Sequence, residues 1–162
     1  MRYLALLLLP ALLSAAAPVV SNVRAQQRLG TKLIDITYDL SDSSSTSIYI
    51  SAQIFNGTTA LPAFSLSGHI GAGVTPGTNK TIVWNGGQDW NRQYTTAGKV
   101  RIIADDLSVT PPNAGMVYVP AGFTVNGYGV HSGSSRVFSS GFFMDKTEVS
   151  KAEWDSVRTW AL

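Results

Sequence analysis

The sequence predicts a mainly β protein in two parts, a small β-sandwich and the start of a second, different domain. Short segments between residues 19 and 106 alternate apolar and polar side chains, which is the period of half-buried strands. The connections between these segments are rich in Gly, Pro, Asn and Ser, and no helical period interrupts them. After the proline-containing linker 107–114 the pattern changes, and a helix-start signal follows near residue 150.

The composition limits the size and class of the protein. A chain of 162 residues supports one domain, or one domain and a fragment. With 44% hydrophobic and 14% charged residues, the chain can bury a core. Its net charge of +2 is too small for the electrostatic footprint of a nucleic-acid-binding protein. The sequence has no cysteine, which excludes disulfides, cysteine zinc sites and thiol catalysis from these residues.

Residues 1–17 predict a secretory signal peptide. Arg2 supplies a short positive region, an apolar run follows it, and the small residues Ser14 and Ala16 precede the cleavage site. Cleavage is expected after Ala16, because cleavage after Ala17 would place a proline at the disfavoured +1 position. The apolar run is shorter than the ~20 residues that span a bilayer. We therefore expect a secreted, periplasmic or cell-surface protein, and the lack of cysteine is more typical of a bacterial one.

The first domain is predicted to occupy residues 18–106 and to contain four clear strands. The strands cover residues 32–40, 48–54, 81–84 and 99–105. The first two are separated by the polar turn 41–46, so two antiparallel strands are expected there. The spacing of the four favours a β-sandwich of the immunoglobulin or fibronectin III type. The side chains expected to point inward are Ile34, Ile36, Tyr38, Ile48, Ile50, Ile54, Ile82, Trp84, Val100 and Ile102.

The second part, residues 115–162, is predicted to end in a helix. Ser150 and Glu153 form a capping-box sequence, in which each side chain bonds to the other residue's backbone amide. The helix that follows carries an apolar face made of Trp154, Val157 and Ala161, with Trp160 beside it. The sequence offers no downstream layer for this face to pack on. We therefore expect the second domain to be incomplete here.

Two motifs in the second part resemble the opening of the formylglycine-generating enzyme family, also called sulfatase-modifying factor domains. The first is GMVYVPAGFTVNG at residues 115–127, a short strand ended by Pro and Gly. The second is FFMDKTEVS at residues 142–150, an aromatic strand that leads through Glu-Val-Ser into a helix with Trp154. The motifs occur in the family's order and spacing. Residues 28–40 and 68–106 are similar to a module that precedes such domains in secreted bacterial proteins.

The resemblance implies a fold related to C-type lectins. In active members it implies an oxygen-dependent, copper-assisted conversion of a sulfatase cysteine to formylglycine. A full-length member would use copper and calcium as cofactors, and a sulfatase would be its partner. The family's cysteine pair and calcium ligands lie toward the far end of its domain, beyond both motifs. No catalytic, cofactor-binding or metal-binding residue is therefore assigned here, because an entrance motif identifies the fold better than the reaction.

Two further patterns resemble functional sites but have simpler structural interpretations. The glycine-rich segment 71–81 lacks the Gly-Lys-Ser/Thr spacing and the following helix of a phosphate-binding loop, so a turn of the sandwich is expected. His69 and His131 lie in separate predicted domains. Because neither has a visible partner in the sequence, neither is assigned as a ligand or a base.

Paired acids and scattered aromatic residues also have structural interpretations. Asp105 and Asp106 are expected to mark a solvated domain exit, since adjacent side chains at the end of a strand diverge. Asp145 and Glu148 are expected to connect strand and helix through a salt bridge or a cap. Five aromatic residues could form a binding face: Tyr38, Tyr49, Trp84, Trp90 and Tyr94. Aromatic residues at strand positions more often belong to the core or to cross-strand pairs, so the structural interpretation is favoured.

Two classes of function remain open from the sequence. In the first, the sandwich is an accessory module or spacer beside a formylglycine-generating-type domain whose catalytic part lies outside these residues. In the second, the protein is a non-catalytic surface protein whose sandwich and lectin-like domain bind carbohydrate or another protein. A cysteine pair downstream would favour the enzyme, and its absence would favour binding. No second apolar stretch has the length of a membrane span.

Overall fold

The computed structural model describes residues 17–122, 124–126, 135–138 and 140–161. Strands make up 48% of the structure and helices 11%, which confirms the mainly β prediction. Nearly all of the predicted signal peptide, residues 1–16, lies outside the described residues, and so does His131. No helix among the described residues is long and apolar enough to cross a membrane.

Two antiparallel sheets form the first part of the chain. Its elements are β1 (Val19–Gln27), β2 (Leu33–Ser41), β3 (Ile48–Asn56), β4 (Thr59–Ala60), β5 (Leu66–Gly68), β6 (Gly71–Val74), β7 (Gly77–Asn85), the short helix α1 (Gly86–Asp89) and β8 (Gly98–Asp105). Sheet A has the strand order β1-β2-β7-β5. In sheet B, β3 pairs with β8 along its length and with β4 and β6 at its two ends.

The two sheets share one hydrophobic core. Its buried members come from both sheets and are Ile36, Tyr38, Leu40, Ile48, Ile50, Ile54, Val74, Ile82, Trp84 and Ile102. Ile34 and Val100 are partly buried and pack against them. Every predicted inward position therefore contributes to this core. Burial of a large aliphatic side chain contributes roughly 1.5–3 kcal/mol, so these alternating positions account for much of the fold's stability.

The first two predicted strands, β2 and β3, do not hydrogen-bond to each other. β2 pairs with β1 on one side and β7 on the other, whereas β3 pairs with β8. Their apolar faces meet across the core, with Ile36 of β2 and Ile50 of β3 both buried. The turn between them therefore crosses from one sheet to the other. Alternation shows which face of a strand is buried, but it does not select the hydrogen-bonding partner.

In the second part of the chain, the described residues form four short strands and a helix. They are β9 (Met116–Val119), β10 (Thr124–Asn126), β11 (Ser135–Val137), β12 (Phe142–Asp145) and α2 (Lys151–Ala161). β9 pairs with β12 and β10 with β11, both antiparallel. The predicted capping box is confirmed: the Ser150 amide donates to Glu153 Oε2 at 2.8 Å, and the Glu153 amide donates to Ser150 Oγ at 3.2 Å.

The apolar face of α2 is open to solvent. Trp154 is 64% exposed, Val157 58% and Trp160 87%. Lys151 and Asp155 form an ion pair one turn apart on the same helix. Surface ion pairs of this kind contribute little, so the helix is held mainly by its capping box and its own hydrogen bonds.

Candidate functional site

The second part of the chain is attached to the outer face of sheet B. Tyr118 Oη of β9 donates a 2.6 Å hydrogen bond to Asp105 Oδ2 at the end of β8. Ser51 Oγ of β3 donates a 3.1 Å hydrogen bond to the carbonyl of Ala121. Ser51 is only 6% exposed, and it lies on the face of β3 opposite the core because side chains alternate along a strand. We call this contact, made by Ser51, Asp105, Tyr118, Ala121 and Gly122, the junction.

Close approach at the junction requires a glycine at position 122. Gly122 has φ +83°, and a Cβ added there would lie 1.8 Å from Ser51 Oγ. Its amide donates a 2.7 Å hydrogen bond to the carbonyl of Phe138. A side chain at this position would therefore push the second part of the chain away from β3.

The phenol of Tyr118 is half-buried and lies close to Gly141. A Cβ added to Gly141 would lie 2.1 Å from Tyr118 Oη, and the ring centroid of Tyr118 is 5.5 Å from that of Phe143 on the paired strand. Burial, together with the hydrogen bond to Asp105 and its negative charge, raises the pKa of Tyr118 to about 12. The hydroxyl therefore stays protonated and acts as a donor at neutral pH.

A cleft of about 510 Å³ opens where β8 begins. It lies about 20 Å along the strand from the junction, at ~3.3 Å per residue. Its walls come from the end of β1, the start of β2, the end of β3, the start of β8 and the loop 90–97. Four aromatic rings line it, those of Phe55, Trp84, Trp90 and Tyr94. We call it the aromatic cleft.

Asp89 fixes Trp84, one of the residues that line the aromatic cleft. Its carboxylate accepts hydrogen bonds from Trp84 Nε1 at 2.9 Å and from the Ser65 hydroxyl at 2.7 Å. It also accepts from the backbone amides of Phe64 and Ser65, each at 2.8 Å. Burial opposes ionisation of Asp89, but these hydrogen bonds outweigh it and hold the pKa of the carboxyl below its usual value. The indole of Trp84 is thus fixed at the cleft by a charged partner.

The loop 90–97, which forms one wall of the aromatic cleft, is also fixed by hydrogen bonds. Asn91 Oδ1 accepts from Lys32 Nζ at 2.5 Å and from the amide of Arg92 at 2.9 Å. Thr95 Oγ1 donates to Asn56 Oδ1 at 2.6 Å. Arg92 has φ +57°, a left-handed conformation that costs a residue with a side chain free energy. These bonds hold the loop in that conformation.

The lining of the aromatic cleft carries positive charge only, among the described residues. Lys32, Arg92 and Lys99 belong to its walls, and no Asp or Glu does. Arg28, farther along the same edge, is paired with Asp35 at 2.6 Å. The lining also includes five residues with amide or hydroxyl side chains, which are Gln26, Gln27, Gln93, Thr95 and Thr96.

The structure separates the five aromatic residues named from the sequence. Tyr38 is 1% exposed in the core, and its hydroxyl donates to the carbonyl of His69 at 2.7 Å. Tyr49 is half-buried on β3 and does not line the cleft. Trp84, Trp90 and Tyr94 do line it, with Tyr94 85% exposed.

The glycine-rich segment and the one described histidine have structural roles. Segment 71–81 forms β6, a turn and the start of β7, and so it contains strands where a phosphate-binding loop would need a helix. His69 Nδ1 accepts a hydrogen bond from the amide of Thr81 at 3.1 Å. The ring therefore ties the two neighbouring strands together.

The paired acids also act locally. Asp105 Oδ1 accepts from the amide of Leu107 at 2.8 Å, and Asp106 Oδ1 accepts from the amide of Ser108 at 3.0 Å. Both acids therefore shape the exit from β8. Asp145 and Glu148 are exposed and take part in no ion pair among the described residues. The contact back to the strand comes instead from Lys146, whose Nζ donates to the carbonyl of Ala114 at 2.9 Å.

Copper and calcium, which the family resemblance implies, have no fitting donor set among the described residues. The sequence contains no thiolate ligand of the kind that suits copper(I). No group of three His, Asp or Glu side chains within the described ranges comes together as a metal site. We therefore assign neither metal to a residue of this chain.

Sequence reasoning missed Asp89, Asn91, Ser51 and Gly122. Asp89 lies in a turn-rich stretch, and nothing in that stretch indicates that its carboxylate accepts hydrogen bonds from the distant amides of Phe64 and Ser65. The Ser51 contact joins two residues that are 70 positions apart in the chain, so nothing near Ser51 in the sequence marks it. Comparison with known proteins finds no family model, no curated protein and no solved structure that matches the chain.

Proposed function

We propose that this chain is part of a secreted bacterial protein of the sulfatase-modifying-factor type. In this proposal the sandwich is an accessory module that positions the enzyme-type domain beginning at Gly115. The signal peptide at residues 1–17 would direct the protein out of the cytoplasm. The chain itself is proposed to be inactive, because it has no cysteine for the family's thiol chemistry.

The pairing of β9 with β12 carries the proposal. These strands belong to the two motifs that resemble the family, and they lie side by side although the second begins more than 20 residues after the first ends. Phe143 pairs with Tyr118 and Phe142 with Val119. The second motif then leads directly into the capped helix α2. This arrangement of two strands and a helix is what an entrance to the family's lectin-related domain would need.

The strand order supports an immunoglobulin- or fibronectin-like sandwich before that domain. The order β1-β2-β7-β5 corresponds to the A-B-E-D order of immunoglobulin sheets, and the pair β3-β8 corresponds to C and F. The junction attaches the second domain to the C–F sheet through Asp105 and Tyr118. An accessory module joined in this way sets the direction of the following domain, which a flexible linker alone would not do.

The proposal is tested first by the coding sequence that follows residue 162. A cysteine pair late in the domain is expected, and its absence would favour the alternative, a non-catalytic surface binding protein. The longer protein is then incubated with copper, oxygen and a cysteine-containing sulfatase peptide, and aldehyde is measured by mass spectrometry. Aldehyde is expected from the longer protein and not from residues 17–162. If residues 17–162 alone produced aldehyde above a no-protein control, this would contradict the proposal that the reaction requires cysteine thiols.

A further inference from the structure

We propose that the aromatic cleft binds an anionic oligosaccharide, a sugar chain that carries sulfate or carboxylate groups. The cleft lies in the sandwich and away from the junction, so binding there does not depend on the role proposed for the second domain. Its volume of about 510 Å³ is within the range of ligand pockets, roughly 300–1,000 Å³.

The aromatic rings provide the first part of the argument. Tyr94 and Trp90 both line the cleft; Tyr94 is 85% exposed and Trp90 is half-buried. An aromatic ring costs little side-chain entropy to order, and its negatively charged face attracts the C–H groups on the flat face of a sugar ring. Exposed rings beside a concave surface are where such a ligand would stack.

The charge of the lining selects an anionic ligand. Lys32, Arg92 and Lys99 contribute three positive charges to the cleft, and no carboxylate within the described residues lines it. The partner of Lys32 there is the neutral oxygen of Asn91, so its charge is not cancelled. An arginine fork matches the paired oxygens of a carboxylate or sulfate group. A neutral sugar would leave these charges unused.

The site is arranged before any ligand arrives. Asn91 fixes both the amide of Arg92 and the ammonium of Lys32, and Asp89 fixes the indole of Trp84. Arg92 is held at φ +57° by this loop. Strained backbone that the surrounding bonds maintain is concentrated at binding and catalytic sites. A prearranged site loses less entropy on binding.

An added peptide strand fits this cleft less well than a sugar does. The cleft lies between the edge strands β1 and β8, which are the places where an extended peptide would pair. A strand inserted between them would need about 4.8 Å on each side. Cα atoms of β1 and β8 come within 8 Å of each other, so a strand could not be inserted along the full length of the two edges.

The test uses calorimetry on the whole chain with four short ligands of equal length. They are a sulfated carrageenan oligosaccharide, its desulfated counterpart, an oligogalacturonate and a single-stranded DNA. Binding is expected to at least one anionic sugar, with an affinity about tenfold or more above that for the desulfated chain. The first and third ligands show whether sulfate or carboxylate is preferred. Equal affinity for the desulfated chain, or tighter binding of the DNA, would overturn the proposal.

Two variants test whether the ligand binds in the aromatic cleft. Tyr94→Ala removes an exposed ring, and Arg92→Asn removes the charge while keeping a residue that tolerates positive φ. Each is expected to weaken binding about tenfold. Matched controls are Trp160→Ala, an exposed ring outside the cleft, and Arg101→Gln, an exposed cation on the same strand as Lys99.

Both control variants are expected to bind as the unchanged protein does. Arg92→Asn is also expected to reduce the salt dependence of binding, because one ionic contact is lost. Circular dichroism and thermal unfolding of each variant separate loss of the site from loss of the fold. Folded cleft variants that bind as tightly as the controls would place the ligand elsewhere and overturn the proposal.

Discussion

One carboxylate, that of Asp105, joins the sandwich to β9 through Tyr118. Asp105 Oδ2 accepts a 2.6 Å hydrogen bond from the Tyr118 hydroxyl, while Oδ1 accepts a 2.8 Å hydrogen bond from the amide of Leu107. Leu107 itself has φ +56°. The Asp105 side chain therefore stabilises the turn at the end of β8 and also binds Tyr118, which follows it by 13 residues in the sequence. Asp105 is therefore one of the residues that set the direction in which the second part of the chain leaves the sandwich.

Tyr118→Phe is expected to loosen the junction. It leaves Asp105 Oδ2 without its donor, and a net hydrogen bond contributes about 1 kcal/mol to stability. The free energy of unfolding should fall by about that amount, and the amides of β9 should exchange faster with solvent. Denaturant titration and hydrogen exchange measure the two effects. Tyr94→Phe, which alters an exposed hydroxyl, is the control and should change neither.

The same contact predicts a stability change at high pH. An unfolded tyrosine ionises near pH 10.0, whereas the pKa of Tyr118 is raised to about 12 in the fold. The folded state then keeps a proton that the unfolded state loses, so the contribution of Tyr118 is present below pH 10.0 and is lost as the pH approaches 12. The stability difference between the unchanged protein and Tyr118→Phe should shrink over this interval. A constant difference would contradict a raised pKa of Tyr118 at the junction.

Gly122→Ala tests the close approach at the junction. The added Cβ would lie 1.8 Å from Ser51 Oγ, and φ +83° disfavours alanine. We expect a loss of about 1–3 kcal/mol in stability. The double variant Gly122→Ala with Ser51→Gly should recover part of the steric component, which a double-mutant cycle measures. Strictly additive losses would show that the two residues do not touch.

Asp89→Asn tests the support of the aromatic cleft. The amide cannot accept all four hydrogen bonds of the carboxylate, so a loss of about 1–3 kcal/mol is expected at neutral pH. Because the pKa of Asp89 is held below its ordinary value of 3.8, its contribution is present above that pH and is lost as the pH falls below it. Chemical unfolding on both sides of pH 3.8 measures the difference, with the exposed Asp145→Asn as control. An undiminished difference in acid would contradict the role of the charge.

Ser150→Ala is expected to fray the start of α2. Loss of an N-cap side chain costs about 1 kcal/mol, and the helix packs its apolar face against nothing in the described structure that would replace it. Amides of residues 151–155 should exchange faster, while those of β3 should be unchanged. Ser156→Ala, on the exposed side of the helix, is the control. Equal exchange rates in Ser150→Ala and Ser156→Ala would show that the capping box does not stabilise the start of α2.

Residues 1–27 fused to a reporter are expected to send it out of the bacterial cytoplasm. The positive start, the apolar run and the small residues before Ala17 are the features that the export machinery reads. Fractionation and the mass of the mature reporter are measured. Replacement of Leu7 and Leu8 by Asp is the control and should keep the reporter inside. An uncleaved cytoplasmic reporter would refute the proposed location.

The sequence predicted the long inner strands because their signal is local. Ile34, Ile36 and Tyr38 alternate with polar residues, so one face of β2 had to be buried whatever its partners were. β1 was not predicted because residues 19–27 are mostly exposed in the fold and so lack that alternation. Its pairing with β2 is interrupted between Ser21 and Arg24. Backbone hydrogen bonds to β2 hold it in place, and these leave no trace in side-chain polarity.

By itself, the sequence determined the mainly β class, the inward positions of the core and the cap of α2, since each depends on residues close together in the chain. Only the tertiary structure decided that β2 and β3 belong to different sheets, that Tyr118 reaches Asp105, and that the aromatic rings on either side of α1 line one cleft. These relationships join segments that are far apart in sequence. Packing of the whole chain selects them, because many pairings satisfy the same local alternation and only one fills the core.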